Sequence, residues 1–190
     1  TAIGKEALTA LTSGIQNTAV GKTSLTTSTT GNYNSAFGSS ALYTNSTGSN
    51  NTALGRTALY ANTTASNNTG VGYNALTANT TGHSNTAVGS ECLDAVTTAI
   101  DCTAIGYSAG SNLTTGNNNT YVGRRAGNAN GSGSDNVAIG RSAMEDATSG
   151  ADNNVCIGNT AGFALQADNN TAVGHEALKT NTTGSENCAF

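Results

Sequence analysis

The sequence predicts an all-β protein, a parallel β-solenoid (β-roll) of eleven 17-residue coils, and three observations lead to this prediction. The pentad Asn-Thr-Ala-Val-Gly, or a close variant, recurs along the whole chain. Its glycine keeps a 17-residue period from Gly4 to Gly140, and then falls one position late at Gly158 and back in phase at Gly174. A large apolar residue precedes these glycines throughout. Such fixed periods are typical of stacked repeats, in which each unit buries its apolar face only against its neighbours.

The repeat glycines define a single repeat array over residues 1–190, which we expect to be a segment of a longer fibre. They are Gly4, Gly21, Gly38, Gly55, Gly72, Gly89, Gly106, Gly123, Gly140, Gly158 and Gly174. Between them, each unit reads as two short extended segments, each ended by a glycine-bearing turn. No unit has apolar residues at three-to-four spacing over ten or more positions, so the pattern does not favour helices.

Composition and charge exclude several classes of protein. Biased chains that are disordered usually carry charge or proline, whereas this chain has 9% charged residues, no proline and regularly placed aliphatic residues. A net charge of -4 with only seven lysine and arginine residues argues against a nucleic-acid partner. No stretch approaches the roughly 20 apolar residues of a membrane-spanning helix, so we expect no membrane span in this segment.

Two neighbouring columns of apolar residues suggest an inside and an outside for the coil. The residue before each glycine forms an aliphatic column, which we predict to be the core; it consists of Ile3, Val20, Phe37, Leu54, Val71, Val88, Ile105, Val122, Ile139, Ile157, Val173 and Phe190. The residue before that forms an alanine column: Ala19, Ala36, Ala53, Ala87, Ala104, Ala138 and Ala172. Because neighbouring strand residues point to opposite faces, the alanine column should face outwards. We interpret it as a subunit interface, with a bare solvent face as the alternative.

The asparagine that opens each pentad predicts a structural ladder. This asparagine column contains Asn17, Asn34, Asn51, Asn68, Asn85, Asn119, Asn136, Asn154, Asn170 and Asn187. Successive coils would stack these amides at roughly 4.8 Å. Because an amide has both donors and an acceptor, such a ladder can satisfy itself inside a turn.

The two positions after each repeat glycine hold nine of the 18 charged residues and must therefore face solvent. Tyr43, Tyr60 and Phe163 share a further column, in the fifth position after the glycine. Aromatic side chains there could bind glycans or could cover the edge of a coil.

No constellation of catalytic, cofactor-binding or metal-ligating residues is visible in the sequence. His83 and His175 fall in different columns five coils apart, too distant to share one site. Cys92 and Cys102 lie in one coil and could form a disulfide if their Cβ atoms approach to about 4 Å; the alternative is that they are reduced, buried small residues. We expect a protein that is not an enzyme and that needs no cofactor.

The pentads Asn85 to Gly89 and Asn136 to Gly140 resemble the strand motif of YadA-like heads in trimeric autotransporter adhesins. The unit from Gly72 to Gly82 resembles the repeats of bacterial and viral tail-fibre-domain proteins even more closely. The resemblance covers essentially the whole chain, although YadA-type head repeats are shorter. It implies a left-handed, homotrimeric roll in a fibre that is extracellular, on the cell surface or on the virion, and it transfers no catalytic residue.

Two functions follow as hypotheses. The first is a structural shaft or head segment of a fibre that mediates surface attachment. Its partners would be further copies of itself, in a homotrimer or a filament, and a host-surface glycan or receptor. The second is an ice-binding solenoid that uses two threonine columns. These are Thr18, Thr52, Thr69, Thr86, Thr103 and Thr171, and Thr30, Thr47, Thr64, Thr81, Thr98, Thr115 and Thr183.

Overall fold

A computed structural model describes residues 1–147 and 150–190 and contains one sheet of twelve parallel strands. The strands follow one another in chain order, so each pairs only with the strands before and after it. Their bounds are β1 Ala2–Ile3, β2 Thr18–Val20, β3 Ser35–Phe37, β4 Thr52–Leu54, β5 Thr69–Val71, β6 Thr86–Val88, β7 Thr103–Ile105, β8 Thr120–Val122, β9 Val137–Ile139, β10 Val155–Ile157, β11 Thr171–Val173 and β12 Cys188–Ala189.

The register of the sheet repeats the sequence period and confirms an all-β, parallel β-solenoid of about eleven turns. Thr52 pairs with Thr69, which pairs in turn with Thr86. Where the repeat is one residue longer and then one shorter, Val155 still pairs with Val137 and Thr171, because the length change lies outside the strands. The described residues contain no helix, and therefore no helix that could span a membrane.

Each coil has one strand, and the prediction of two extended segments per coil was wrong. The wall opposite the strand is built of turns in which non-glycine residues adopt left-handed conformations, such as Thr57 (φ 57°) and Leu59 (φ 53°). Each such residue costs about 1–2 kcal/mol. Hydrogen bonds between coils continue through this wall and offset that cost; for example, the Leu59 amide donates to the Ala75 carbonyl at 2.9 Å.

The two faces of the sheet are the reverse of those predicted. Every residue of the alanine column is fully buried, whereas Leu54 is 50% and Ile105 43% exposed. The alanine column is therefore part of the core and cannot be a subunit interface, and the aliphatic column lies outside the core.

A narrow interior explains this reversal. A leucine column occupies the opposite wall, with Leu25, Leu42, Leu59, Leu76 and Leu93 fully buried. At Gly70, which takes the alanine position in β5, an added Cβ would already lie 3.3 Å from Leu59 Cγ. A methyl group fills the space between strand and leucine, and a valine or isoleucine there would overfill it.

The repeat glycine turns the chain out of each strand in a conformation that other residues rarely adopt. Gly72 has φ +138°, and a Cβ on it would overlap the Gly89 carbonyl of the next coil. Backbone conformation and the close approach of the next coil therefore both require glycine at this position.

Candidate functional site

The outer face of the sheet is an extended apolar surface of the described chain. We use this name for the outward side of β1–β12, which carries the aliphatic column. In that column Ile3, Phe37, Leu54, Ile105, Ile139, Ile157 and Phe190 are exposed, and the valines are half-buried. Eleven strand spacings make this stripe about 50 Å long. Contiguous exposed apolar patches of this extent are typical of interaction sites.

A column of threonines runs beside the aliphatic column on the same face, because the two columns occupy alternate positions of each strand. The six predicted threonines Thr18, Thr52, Thr69, Thr86, Thr103 and Thr171 all belong to it. Their backbone amides bond within the sheet, as Thr52 N does to Asn68 O at 2.9 Å. Within the described residues their hydroxyls have no hydrogen-bond partner in the chain; Thr52 is exposed and the other five are half-buried.

The second predicted threonine column lies in a turn away from the sheet. Its members Thr30, Thr47, Thr64, Thr81, Thr98, Thr115 and Thr183 are all exposed. From Thr29 to Thr114, the residue before each of them has a different role, since its hydroxyl donates to the carbonyl of the next coil, as Thr63 does to Thr80 O at 3.0 Å. One turn therefore presents a hydroxyl that supports the stack and one that faces water.

The asparagine column lies inside the coil. It is buried from Asn17 to Asn170, and only Asn187 in the last coil is exposed. The side chains bond the backbone of neighbouring coils: Asn51 Oδ1 accepts from Asn68 N at 3.0 Å, and Asn51 Nδ2 donates to Ala65 O at 2.8 Å. From Asn119 onwards the amides also bond one another, as Asn136 Nδ2 does to Asn119 Oδ1 at 3.2 Å. The column thus holds successive turns at one spacing, which is a structural role.

A second asparagine ladder was missed in the sequence. Asn62 Nδ2 donates to Asn45 Oδ1 at 2.8 Å, and Asn79 Nδ2 donates to Asn62 Oδ1 at 2.9 Å. All three side chains are fully buried. The signal that could have revealed the ladder is their recurrence with the period of the repeat, three positions after the leucine column.

The cysteines are free thiols, and the predicted Cys92–Cys102 disulfide is absent. The two sulfurs contact different groups: Cys92 Sγ lies 3.2 Å from Ala104 O, and Cys102 Sγ lies 3.4 Å from Gly116 O. Burial raises the pKa of the Cys92 thiol to about 12 and also raises that of Cys102. Both therefore stay protonated at neutral pH and act as small core residues.

The charged residues directly after the repeat glycine are exposed at Lys22, Arg56, Arg124 and Arg141. In the second position after it, Glu91 and Arg125 are only half-exposed, so the prediction that both positions face solvent holds for the first alone. Farther along the turn wall, Tyr43 and Tyr60 stack with their ring centroids 5.2 Å apart and their planes at 4°. Each ring thus covers the other at the edge of adjacent coils. Phe163 lies in the same column, seven coils after Tyr43.

The described residues contain no group of three or more histidine, cysteine, aspartate or glutamate residues that could hold a metal ion. His83 is exposed, and its Nδ1 lies 3.3 Å from Ser84 Oγ. An open depression of about 580 Å³ lies at the last coil, lined by residues such as Leu178 and Asn181. The same positions are buried in earlier coils because a further coil covers them, so this depression is the end of the stack.

No protein-family model, curated protein or solved structure matches this chain.

Proposed function

We propose that this chain is a structural segment of an extracellular or virion fibre that mediates surface attachment, and that the outer face of the sheet joins its copies. In this proposal the protein is not an enzyme. Its repeats set the length of the fibre and its stiffness, and the assembly is the left-handed homotrimer that the resemblance to adhesin heads and tail-fibre repeats implies.

The bare outer face of a parallel sheet is the observation that carries this proposal. All-parallel sheets normally have both faces covered. Here the leucine column and the turns cover the inner face, whereas the outer face carries exposed side chains such as Leu54, Ile105 and Ile139. A second copy is the simplest cover, because its own face has the same length and the same coil spacing.

The arrangement of charge supports the same reading. The aliphatic and threonine columns of the outer face contain no charged residue from Thr18 to Val173. Charged residues lie at its two margins, as Arg141 and Asp135 do on either side of β9. An uncharged centre with a polar rim is the usual composition of a protein interface.

Sedimentation equilibrium of the segment with and without substitutions on this face tests the proposal. We expect the unaltered chain to be a trimer and the double variant Ile105→Asp, Ile139→Asp to be a monomer, because two carboxylates per chain would have to be buried. The variant Ile105→Thr, Ile139→Thr keeps β-branched residues in the strands and should weaken association to a smaller extent.

The matched control places two aspartates in the same coils but in the exposed turn, as Thr98→Asp and Ser132→Asp. It should remain a trimer with an unchanged circular dichroism spectrum. A monomeric unaltered chain, or a control that dissociates as readily as the isoleucine variant, would refute an interface on this face.

Ice binding is a second candidate, because the outer face presents the free strand threonines next to aliphatic side chains at one regular spacing. A face used in this way must stay uncovered. This function therefore predicts a monomer that slows ice growth, and loss of that effect in Thr69→Lys, Thr86→Lys but not in Thr64→Lys, Thr81→Lys. Absence of ice-growth inhibition at high concentration would eliminate it.

A further inference from the structure

The residues that directly follow the repeat glycines form a column with an unusual composition, which we call the cationic column. It contains Lys5, Lys22, Ser39, Arg56, Tyr73, Ser90, Tyr107, Arg124, Arg141, Asn159 and His175. Five of the seven lysine and arginine residues of the chain are in it, although the net charge is -4, and it contains no acidic residue. The stack of coils thus collects most of the positive charge along one line.

The central part of this column carries charged and aromatic side chains that stay exposed. Tyr73 is 44% and Tyr107 49% exposed, and Arg56, Arg124 and Arg141 are exposed beside them. The Arg56 guanidinium carbon lies 5.7 Å from the centroid of the Tyr73 ring. The Arg124 guanidinium carbon lies 5.9 Å from that of Tyr107. Both pairs join residues one coil apart, so the side chains already lie side by side without a ligand.

The backbone beneath the column is held at a fixed spacing. The carbonyl of Arg56 accepts from Asn74 N at 3.2 Å, that of Tyr107 from Arg125 N at 2.9 Å, and that of Arg124 from Ser142 N at 2.9 Å. Each hydrogen bond ties one coil to the next. The side chains therefore project from a rigid ridge at intervals of about 4.8 Å.

We propose that the cationic column from Arg56 to Arg141 binds a linear anionic polysaccharide, one whose sugars carry carboxylate or sulfate groups. Guanidinium groups pair with such anions in two-pronged hydrogen bonds. Exposed tyrosine rings offer flat apolar faces to the C–H groups of a pyranose ring. One pyranose residue in an extended chain has nearly the length of one coil, so successive sugars meet successive side chains of the column.

The spacing of charges distinguishes this ligand from nucleic acid. Two neutral residues, Ser90 and Tyr107, separate Arg124 from the Tyr73–Arg56 pair, so the cationic charge is not continuous along the ridge. Tight phosphate binding needs many neutralising contacts along the backbone. Glycans with an acidic group on only some of their sugars match an interrupted row.

The column borders the proposed interface at its charged margin and lies outside its uncharged centre. Its side chains lie beyond the repeat glycine, at the margin of the outer face, and binding there does not require that the chain self-associate. Sedimentation on the same samples distinguishes a failure of this proposal from a failure of the proposed trimer.

Isothermal titration of the chain with an oligomannuronate, with a neutral dextran oligosaccharide of equal length as control, tests the proposal. The main variant is Arg56→Ser, Arg124→Ser, Arg141→Ser, because Ser39 and Ser90 show that serine fits this position of the coil. We expect its affinity for oligomannuronate to be lower by a factor of about ten or more, because three charge-assisted contacts are lost. Lys179→Ser, which removes a cation elsewhere, should bind as the unaltered chain does.

The aromatic variant Tyr73→Ser, Tyr107→Ser separates the two contributions. It should also weaken binding but keep the steep dependence on salt, whereas the arginine variant should lose that dependence. Equal binding of dextran, tighter binding of oligothymidylate than of oligomannuronate, or unchanged affinity in the arginine variant would each overturn the proposal. So would dissociation of the trimer in the arginine variant, because the column would then belong to the interface.

Discussion

The coils from Gly38 to Gly89 and those from Gly89 to Gly140 enclose the same space with different side chains. In the first set, alanine or glycine on the strand faces a leucine column, and the ladder from Asn45 to Asn79 fills the corner. In the second set, Gly110 and Gly127 replace two leucines, and Tyr121 replaces an alanine. All three positions are buried in both sets. The comparison shows that the bulk of a side chain can move from one column to another between neighbouring coils, because two glycines and a tyrosine take the place of two leucines and an alanine.

Tyr121 shows how this exchange works. A Cβ on Gly110 would lie 2.8 Å from Tyr121 Cδ2, and one on Gly127 would overlap the same ring. The ring therefore occupies the space that two leucines would fill. Its hydroxyl receives a hydrogen bond from Asn130 Nδ2 at 3.3 Å, where the regular coils have amide pairs. Burial raises the pKa of this phenol above its ordinary value, so it stays protonated.

The largest expected effect comes from removing this ring. Tyr121→Ala should lower the free energy of unfolding by about 3–5 kcal/mol, because no leucine is present to fill the cavity. Urea denaturation followed by circular dichroism measures the change. Tyr107→Ala, on the exposed column, is the control and should have little effect.

The triple variant Gly110→Leu, Gly127→Leu, Tyr121→Ala tests whether the two regions are interchangeable, because it converts the second set to the residues of the first. Leucine already adopts left-handed φ at this position in the regular coils, for example 50° at Leu42. Stability should return close to that of the unaltered chain. A triple variant no more stable than Tyr121→Ala would show that the two regions are not interchangeable.

The next prediction compares two glycines of one regular coil, Gly70 within β5 and Gly72 just after it. Gly72→Ala should destabilise by about 2–4 kcal/mol, because it combines positive φ with overlap of the Gly89 backbone. Gly70→Ala restores the alanine column and should stabilise by about 0.4–1 kcal/mol through the lower entropy of the unfolded chain. Thermal unfolding of both variants compares them directly, and similar losses from the two would contradict the assigned core position.

Cys102 interrupts the asparagine column in the second region, and its replacement has a smaller effect. In the regular coils the backbone amide of each asparagine donates to the asparagine oxygen of the preceding coil, as Asn51 N does to Asn34 Oδ1 at 3.0 Å. Cys102 offers Asn119 only a thiol, which is a weak acceptor. Cys102→Asn should therefore stabilise by about 1 kcal/mol in urea denaturation. Cys92→Asn lies outside that column and should destabilise the fold instead, because the new amide would be buried without a hydrogen-bond partner.

The smallest effect concerns the ionisation of the buried cysteine thiols. Burial raises the pKa of Cys92 and of Cys156 to about 12, so folding favours their protonated form. Their contribution to stability is complete below about pH 9, where unfolded thiols begin to ionise, and is lost as pH rises towards 12. In native protein at mildly alkaline pH, iodoacetamide should label the exposed Cys188 and not Cys92, Cys102 or Cys156; mass spectrometry counts the labels, and denatured protein should show all four.

The sequence by itself determined the period, the parallel stacking and the composition of each column. A constant period aligns Asn34 with Asn51 in any stack of such coils, so the asparagine column followed from spacing alone. The tolerance of one longer and one shorter repeat around Gly158 also followed, because a loop absorbs a length change that a paired strand cannot.

Only the tertiary structure decided which side of the strand faces inwards. Alternation requires that Ala53 and Leu54 point in opposite directions, but it does not say which of the two points inwards. The rule that large apolar residues form the core gave the wrong answer here. The number of strands per coil was likewise hidden, because Leu59 adopts a left-handed conformation that hydrogen bonds to the next coil stabilise. The physical reason is the width of the coil: the space between its walls admits one leucine and one methyl group, and that dimension arises only when the turns close.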